Sequence, residues 1–176
     1  MNKHEHISKI LISEEDINNK VKELAEEISN DLKNKENIPC IIGLLKGSFM
    51  FIADLTRYID VPVEIDFMIV SSYGNNKIGS EIKILKDVDV PLTGRDVIIV
   101  EDIIDTGCTL EKICEVLKTR NPASLKICTL LNKPSRRKVD IKIDYNGFDI
   151  EDEFVVGYGI DYAQKYRNLP YIGVVE

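Results

Sequence analysis

The sequence predicts an α/β fold in which a mostly parallel, twisted sheet is flanked by helices. Short apolar segments typical of buried strands alternate along the chain with segments whose apolar residues recur at helical spacing. This alternation favours a parallel sheet covered on both faces, because the crossover between parallel strands is usually a helix. The 176 residues contain no internal repeat, linker or low-complexity segment, so we expect one domain over residues 1–176.

The first half of the chain predicts two helices set between strands. Ser13 is a candidate N-cap, and Asp16 follows it at the spacing of a capping box. Apolar residues then recur at helical period as far as Leu32, with lysine and glutamate on the other face. The predicted elements are a helix from residue 13, a strand over 38–45, a helix over 49–57, a strand over 63–70, a long mobile loop over 71–80 and a returning strand over 82–85.

The second half continues the same alternation. A turn precedes a strongly apolar strand, and a helix with apolar residues on one face follows it. The predicted elements are a turn over 91–94, a strand over 97–100, a helix over 109–119, a strand over 124–131 and a strand over 154–158. Ligands of such sheets bind at the carboxyl ends of the strands, so polar residues placed there are candidates for a functional site.

The charge balance limits the classes of partner. A formal net charge of -7 disfavours a protein that holds nucleic acid mainly through its phosphates, because that task needs a basic face. Small anionic ligands remain compatible, since a few lysines, backbone N–H groups and a metal can hold phosphate locally. The sequence has neither a signal-peptide pattern nor an apolar stretch of membrane-spanning length. We therefore expect a cytoplasmic protein without nucleic-acid or membrane partners.

The four cysteines indicate reduced thiols. They include no Cys-x-x-Cys pair and have no histidine nearby, which makes a zinc site improbable. Cys40 and Cys128 lie in predicted strands, and Cys114 lies on the apolar face of a predicted helix. We expect these three to be buried core residues.

The most apolar predicted strand is followed by the densest group of candidate functional residues. Glu101 and Asp102 are adjacent carboxylates at its predicted end, and a short loop then leads through Asp105 into a helix. Free N–H groups at a helix N-terminus, with the hydroxyls of Thr106 and Thr109 beside them, form a phosphate site. Carboxylates would repel phosphate unless they bind another part of the ligand, and ribose hydroxyls are good donors to them. A ribose 5-phosphate explains the mixture; the alternative is that these residues merely cap the strand and the helix.

Residues 101–107 resemble the PRPP (phosphoribosyl pyrophosphate) signature of the type I phosphoribosyltransferases. Further segments are similar to the hypoxanthine-guanine branch of that family, and together they extend from about residue 8 to the end of the chain. These segments are a pyrophosphate loop at 45–48, a mobile catalytic loop at 71–74, a purine-selecting lysine segment at 132–137 and a base-clamping region at 154–162 with Arg167. The resemblance implies the fold of that family with a small base-binding hood. It also implies Mg²⁺-dependent transfer of the phosphoribosyl group of PRPP to hypoxanthine or guanine, in purine salvage.

The resemblance assigns roles around the ribose phosphate. Glu101 and Asp102 would hold the ribose hydroxyls, directly or through Mg²⁺, and the loop after them would hold the 5-phosphate. The implied contacts of the 5-phosphate are Asp105, Thr106, Gly107, Cys108 and Thr109. The implied ligands of Mg²⁺ are Glu101, Asp102 and Asp161, and the implied contacts of pyrophosphate are Lys46, Gly47 and Arg167. The family also has a cis peptide bond at the position of Lys46.

The resemblance also assigns roles around the purine base. Lys133 would donate to the six-position oxygen of the purine, Phe154 would stack on its ring, and main-chain groups at Val155 and Asp161 would read its edge. Asp105 would be the general acid or base near nitrogen 7. Ser72 and Tyr73 would close over the site during reaction and exclude water, because PRPP is otherwise hydrolysed.

Several of these residues have plainer alternatives. Lys133 follows a strand and could simply be solvated, Phe154 could belong to the core, and Asp161 could be a turn residue. Lys46 and Gly47 could form an ordinary turn between a strand and a helix. Tyr73 lies in a polar, glycine-containing loop and has no packing reason to be there.

Two positions depart from the family pattern. Asn132 stands where many relatives have an acid before the lysine, which would alter the electrostatics of this loop without removing the base contact. Cys108 occupies a variable position in the phosphate loop, and we hypothesise that its oxidation or alkylation inhibits the enzyme.

Two other functions compete with this assignment. One is a regulator that keeps the PRPP fold to bind RNA or DNA, which the acidic charge disfavours. The other is an enzyme of the same fold that acts on xanthine or a pyrimidine. Preference among hypoxanthine, guanine and xanthine stays open at this point, and the family implies a homodimer or homotetramer.

Overall fold

The computed structural model describes residues 6–73 and 81–175. Within these residues, the helices are α1 (Glu14–Leu32), α2 (Phe49–Tyr58) and α3 (Cys108–Lys118). The strands are β1 (Ile7–Ile12), β2 (Cys40–Leu45), β3 (Glu64–Tyr73), β4 (Glu81–Lys86), β5 (Asp96–Ile104), β6 (Ser124–Asn132), β7 (Tyr145–Asp149), β8 (Val155–Val156) and β9 (Ile172–Val175). A single 3-10 turn over Pro134–Arg136 follows β6.

A six-stranded sheet forms the centre of the molecule, in the order β4-β3-β2-β5-β6-β7. Its strands run parallel except for β4, which pairs antiparallel with β3 at one edge. The predicted α/β fold with a mostly parallel sheet is therefore confirmed. The carboxyl ends of β2, β3, β5 and β6 meet at one edge, where a ligand site is expected.

Apolar residues fill both faces of this sheet. Ile41 and Ile98 pack in one core with α1 and α2, whereas their neighbours Ile42 and Ile99 pack in another core with α3. Consecutive residues of a strand point to opposite faces, which is why continuous apolar runs suit strands covered on both sides. Fully burying such a side chain contributes about 1.5–3 kcal/mol, so these runs fix the strands in the sheet centre.

Helix α1 begins where the capping pattern predicts. The hydroxyl of Ser13 accepts a hydrogen bond from the Asp16 amide at 3.1 Å, which satisfies one free N–H of the first turn. The apolar face of α1 is buried against the sheet and includes Ile17, Val21, Leu24, Ala25, Ile28 and Leu32.

A second, antiparallel sheet has the order β1-β9-β8. It joins the two ends of the described chain, since Ile7 pairs with Val175. Sequence patterns did not predict β1, β7 or β9. The predicted strand over 154–158 is reduced to β8, because Gly157 and Tyr158 take positive φ values of 107° and 46° and turn the chain. We call residues 152–175, which contain β8 and β9, the hood.

Two predicted boundaries need correction. The strand predicted over 97–100 runs to Ile104, so Glu101 and Asp102 lie within β5 and do not follow it. The loop predicted from residue 71 begins later, because β3 continues to Tyr73 and pairs with β4 there. The rest of that predicted loop, residues 74–80, lies outside the described residues.

Across the described chain, we find no helix with the length and apolar character that crossing a membrane would require.

Candidate active site

A cleft of about 390 Å³ opens at the carboxyl edge of the large sheet. It collects residues from the ends of β2 and β5, from the loop into α3 and from the hood. The residues that line it are Leu44, Leu45, Lys46, Gly47, Val70, Glu101, Asp102, Ile103, Ile104, Asp105, Thr106, Gly107, Thr109, Leu110, Ile113, Asp161 and Arg167. Ten of the predicted site residues are thus brought together, from segments more than 100 positions apart in the sequence.

The turn after β2 carries Lys46 and Gly47 into the cleft. The peptide bond between Leu45 and Lys46 is cis, as the resemblance implied. Gly47 packs directly against a carboxylate, since a Cβ built at this position would overlap Oδ2 of Asp102. The alternative of an ordinary strand-to-helix turn is therefore disfavoured, because this turn requires glycine for contact with another strand.

Two carboxylates of β5 face each other at the floor of the cleft. Asp102 is only 8% exposed, and its Oδ1 accepts a hydrogen bond from the Ile103 amide at 2.9 Å. Burial, together with the neighbouring Asp102 carboxylate, raises the pKa of Glu101 well above its ordinary value. The site therefore concentrates negative charge that a cation or hydroxyl donors of a ligand would stabilise. These side chains are more than surface caps of a strand.

The loop into α3 presents a helix N-terminus to the cleft. Gly107 is the N-cap residue, with φ of 82° in the left-handed region, and Cys108 is the first helical residue. The Cys108 amide donates weakly to the Thr106 hydroxyl at 3.4 Å. Because the first turn of a helix has backbone N–H groups without helical partners, this loop can bind an anion.

The segment after β6 is attached to this loop at both ends. We call residues 133–138 the strap. The Lys133 amide donates to the Ile104 carbonyl at 3.0 Å, and the Lys138 amide donates to the Thr106 carbonyl at 3.0 Å. Between these bonds, Arg136 Nε donates to Asp105 Oδ1 at 3.0 Å. Both partners of this ion pair are half exposed, so the pair orients Asp105 but adds little stability.

Lys133 is buried at the start of the strap. Its side chain donates to the Glu153 carbonyl at 2.7 Å and lies 3.6 Å from Asp152 Oδ1. The alternative that Lys133 is simply solvated is wrong, because only 8% of it is exposed. A lysine held in this way has a fixed position and can still donate to a ligand, because an ammonium group has three donors.

Phe154 lies on the surface of the hood and is 54% exposed, so it does not belong to the core. Its ring contacts Tyr162 edge to face, with centroids 5.4 Å apart, and Tyr162 is itself 49% exposed. Val155, by contrast, is buried in β8. Sequence reasoning did not single out Tyr162. The signal was available, because an aromatic residue in the polar segment 161–165 has no evident packing reason.

Asp161 and Arg167 form an ion pair on the hood side of the cleft. Arg167 Nη2 lies 2.7 Å from Asp161 Oδ1, and Nη1 donates to the Gly159 carbonyl at 2.7 Å. The other Asp161 oxygen accepts from the Gln164 amide at 2.7 Å. Asp161 is thus a turn residue, as the plainer alternative held, and also a residue of the cleft. Lys46 approaches this turn through Gln164 Oε1 at 3.4 Å.

The described residues contain no group of three or more histidine, cysteine or acidic side chains arranged to hold a metal ion by themselves. Mg²⁺ commonly binds through one or two carboxylates together with ligand oxygens and water. Glu101, Asp102 and Asp161 all line the same cleft, and the first two are crowded carboxylates. This donor set fits Mg²⁺ brought in with an anionic ligand.

Six predicted site residues lie away from the lining of the cleft or can be placed only by their backbone. Lys133, Phe154 and Val155 belong to the strap and hood beside it, and Cys108 is partly buried in α3. Ser72 and Tyr73 pair in β3 with Ile82 and Glu81 of β4. The roles of their side chains stay predictions.

A parallel sheet that directs adjacent carboxylates and a helix N-terminus into one cleft is the arrangement expected of the class of proteins that bind a sugar phosphate. Residues 12–163 match the family model described as phosphoribosyl transferase domain, and the chain belongs to this family. It is 54% identical over 177 residues to the hypoxanthine-guanine phosphoribosyltransferase of Bacillus subtilis, which covers 100% of this chain and 97% of that protein. It is 56% identical to the hypoxanthine phosphoribosyltransferase of Buchnera aphidicola, over 97% of each chain.

A solved structure is similar over the same extent. The hypoxanthine phosphoribosyltransferase of Staphylococcus aureus superposes with a TM-score of 0.94 at 48% identity, covering 100% of this chain and 96% of that one. The resemblance inferred from motifs is thereby confirmed.

Proposed function

We propose that this protein transfers the 5-phosphoribosyl group of PRPP to hypoxanthine, guanine or both, and so forms IMP or GMP and pyrophosphate in purine salvage. The observation that carries the proposal is the juxtaposition, in one cleft, of the β5 carboxylates and the N-terminus of α3. These two features match the hydroxyl and phosphate groups of a ribose 5-phosphate. The extensive similarity to hypoxanthine phosphoribosyltransferases supports the choice of base.

The phosphate and ribose would bind to β5 and the loop after it. Backbone N–H groups of residues 106–109, with the hydroxyls of Thr106 and Thr109, would hold the 5-phosphate. Asp102 and Glu101 would accept from the ribose hydroxyls or hold Mg²⁺. Buried, mutually repelling carboxylates suit this role, because a cation or donors lower their repulsion.

Departure of pyrophosphate would be stabilised on the opposite wall. Displacement at the ribose carbon passes through an oxocarbenium-like state, and the leaving group carries high charge. Lys46, the Gly47 backbone and Arg167 would hold this charge in place. Asp161 orients Arg167 through their 2.7 Å contact, and with Asp102 and Glu101 it would bind Mg²⁺. Mg²⁺, when bound, would neutralise the phosphate oxygens of the leaving group.

The purine would lie against the hood. Lys133 would donate to its six-position oxygen, Phe154 would stack on its ring, and backbone groups at Val155 and Asp161 would read its edge. Asp105 would exchange a proton with nitrogen 7, and its carboxylate is oriented toward the strap by Arg136. Ser72 and Tyr73 would close the site from the end of β3 and keep water from the reaction.

The test is nucleotide formation from PRPP and Mg²⁺ with hypoxanthine, guanine, xanthine and uracil supplied separately. We expect rapid conversion of hypoxanthine or guanine and loss of conversion when a chelator removes the metal. Conversion of uracil alone would overturn the proposed base. PRPP binding without conversion of any base, together with retardation of RNA or DNA in a gel, would indicate a regulator instead.

We further propose that the protein works in the cytoplasm as a homodimer or homotetramer. Exposed apolar side chains that a partner copy could cover include Tyr58, Ile65 and Leu85. A mass measured by light scattering tests the assembly, and a monomeric mass at working concentration would refute it.

A further inference from the structure

Arg137 lies beneath the phosphate-binding loop. Its Nη2 donates to Oδ1 of Asn132. Its Nη1 and Cδ lie 3.0 Å and 3.3 Å from the position that a Cβ would take at Gly107. The guanidinium therefore packs against the backbone of the N-cap residue of α3.

The charge of this guanidinium is incompletely matched. Within residues 6–73 and 81–175, Nη1 is buried without a hydrogen-bond partner, and Arg137 forms no ion pair within 4.0 Å in that part of the chain. The side chain that accepts from it is a neutral amide, whose own Nδ2 donates to Asp149 at 2.7 Å. Burial lowers the pKa of Arg137, and Asp105 acts in the opposite direction.

A buried cation is costly unless a counter-charge stabilises it. The adjoining loop is the one that the proposed function assigns to a phosphate dianion, and the guanidinium packs against this loop at Gly107. A phosphate bound there would supply the missing negative charge at short range in a partly buried environment, where Coulomb interactions are strong.

We propose that Arg137 is a positioning residue for the 5-phosphate: it supports the loop at Gly107 and sets the affinity for the ribose phosphate through its charge. The inference rests on the proposed function, since it takes the loop to be the phosphate site.

The experiment measures binding of ribose 5-phosphate by titration calorimetry, together with the KM values for PRPP and hypoxanthine. Arg137→Met removes the charge and keeps a long apolar side chain, and Arg137→Lys restores the charge. Lys138→Met is the matched control, because it removes an exposed cation from the same strap and leaves the backbone bond to Thr106 intact.

We expect Arg137→Met to weaken ribose 5-phosphate binding and raise the KM for PRPP by about tenfold, the effect of losing one partly buried charge contact. The KM for hypoxanthine should stay within about twofold. Arg137→Lys should recover most of the affinity, because it restores the positive charge. Lys138→Met should bind like the parent, since exposed charges are screened.

Equal losses for PRPP and hypoxanthine in Arg137→Met, or no recovery in Arg137→Lys, would show a merely structural role and overturn the inference. Unchanged phosphate affinity in Arg137→Met would also overturn it. These outcomes are distinct from failure of the proposed function, in which the parent protein itself would neither bind ribose 5-phosphate nor convert hypoxanthine.

Discussion

The two ends of the cleft are built in different ways. We call them the phosphate end and the base end, after the groups that we propose they bind. The phosphate end consists of the backbone of the loop after β5 and of Asp102, which is nearly buried within β5. Gly47 allows the turn after β2 to contact this carboxylate directly. At the base end, the rings of Phe154 and Tyr162 are about half exposed and contact each other at the surface.

This difference follows from the two parts of the ligand. A phosphate needs donors that are already in place, because reorganising charged groups during binding is costly. A neutral ring gains binding energy from apolar area that leaves water, so exposed rings serve it well. Substitutions at the phosphate end should therefore lower kcat or kcat/KM strongly. Substitutions at the base end should have weaker effects, limited to the affinity for the base.

The largest effect is expected for Asp105→Asn, because Asp105 lies in the loop after β5 and its carboxylate contacts Arg136 of the strap. If Asp105 performs general acid or base work, kcat should fall by about 10²- to 10⁴-fold, equivalent to about 3–5 kcal/mol of barrier. Initial rates at saturating PRPP and hypoxanthine check this. Asp140→Asn is the control, because it removes an exposed carboxylate and should change kcat little. Nearly full activity of Asp105→Asn would refute the acid–base role.

Gly47→Ala should be the next most damaging change. The added methyl would overlap Oδ2 of Asp102, so either the turn after β2 or the carboxylate must move. We expect kcat/KM for PRPP to fall by about 10- to 100-fold, since small misplacements of a reacting group are costly. Gly94→Ala serves as the control, because it also alters a glycine but has open space around it. Because Gly94 has a positive φ of 71°, Gly94→Ala should lower thermal stability and leave turnover unchanged. Unimpaired turnover in Gly47→Ala would contradict the role proposed for the turn after β2.

The two aromatic residues of the hood should show smaller effects that are limited to the base. Phe154→Leu should raise the KM for hypoxanthine by about three- to tenfold, as expected for loss of ring stacking, and leave the KM for PRPP unchanged. Tyr162→Leu should have a similar but smaller effect, because its ring contacts Phe154 edge to face. The double variant should be less impaired than the product of the single effects. Equal effects on PRPP would break the contrast between the two ends.

Cys108→Ser should have the smallest effect on turnover. Serine conserves the backbone N–H groups of the first turn of α3, so kcat/KM should stay within about twofold of the parent. A thiol-alkylating reagent should inhibit the parent and spare the variant. Burial raises the pKa of Cys40 and of Cys114 to about 11, so those thiols should react slowly. Equal sensitivity of parent and variant would show that Cys108 is not the inhibitory site.

The central part of the large sheet could be predicted from the sequence because β2, β3, β5 and β6 each contain a short apolar segment. The small sheet could not, since its strands carry little local signal. Strand β7, at the edge of the large sheet, could not be predicted either, because it contains an Asn-Gly pair that is typical of a turn. In the small sheet, β1 is largely exposed, and β9 has four residues with a glycine among them. These strands are stabilised by partners far along the chain, and such pairing is invisible in a local pattern.

The candidate site shows the same division. Residues that share one segment, such as Glu101, Asp102 and Asp105, could be assigned together from their order. Contacts between segments could not, and they include Gly47 against Asp102, Arg136 on Asp105 and Arg137 under Gly107. Such contacts depend on the register of neighbouring strands, and the sequence alone does not determine that register.

The closure of the small sheet has a consequence for the order in which the protein matures on the ribosome. The six strands of the large sheet end at Asp149, so the phosphate loop can be in place while later residues are still being added. The Phe154 carbonyl accepts from the Val175 amide at 2.9 Å, and β9 pairs with both β1 and β8. The proposed base-binding hood is thus completed only after β9 has been synthesised, because β9 is the strand that joins β1 and β8 in the small sheet.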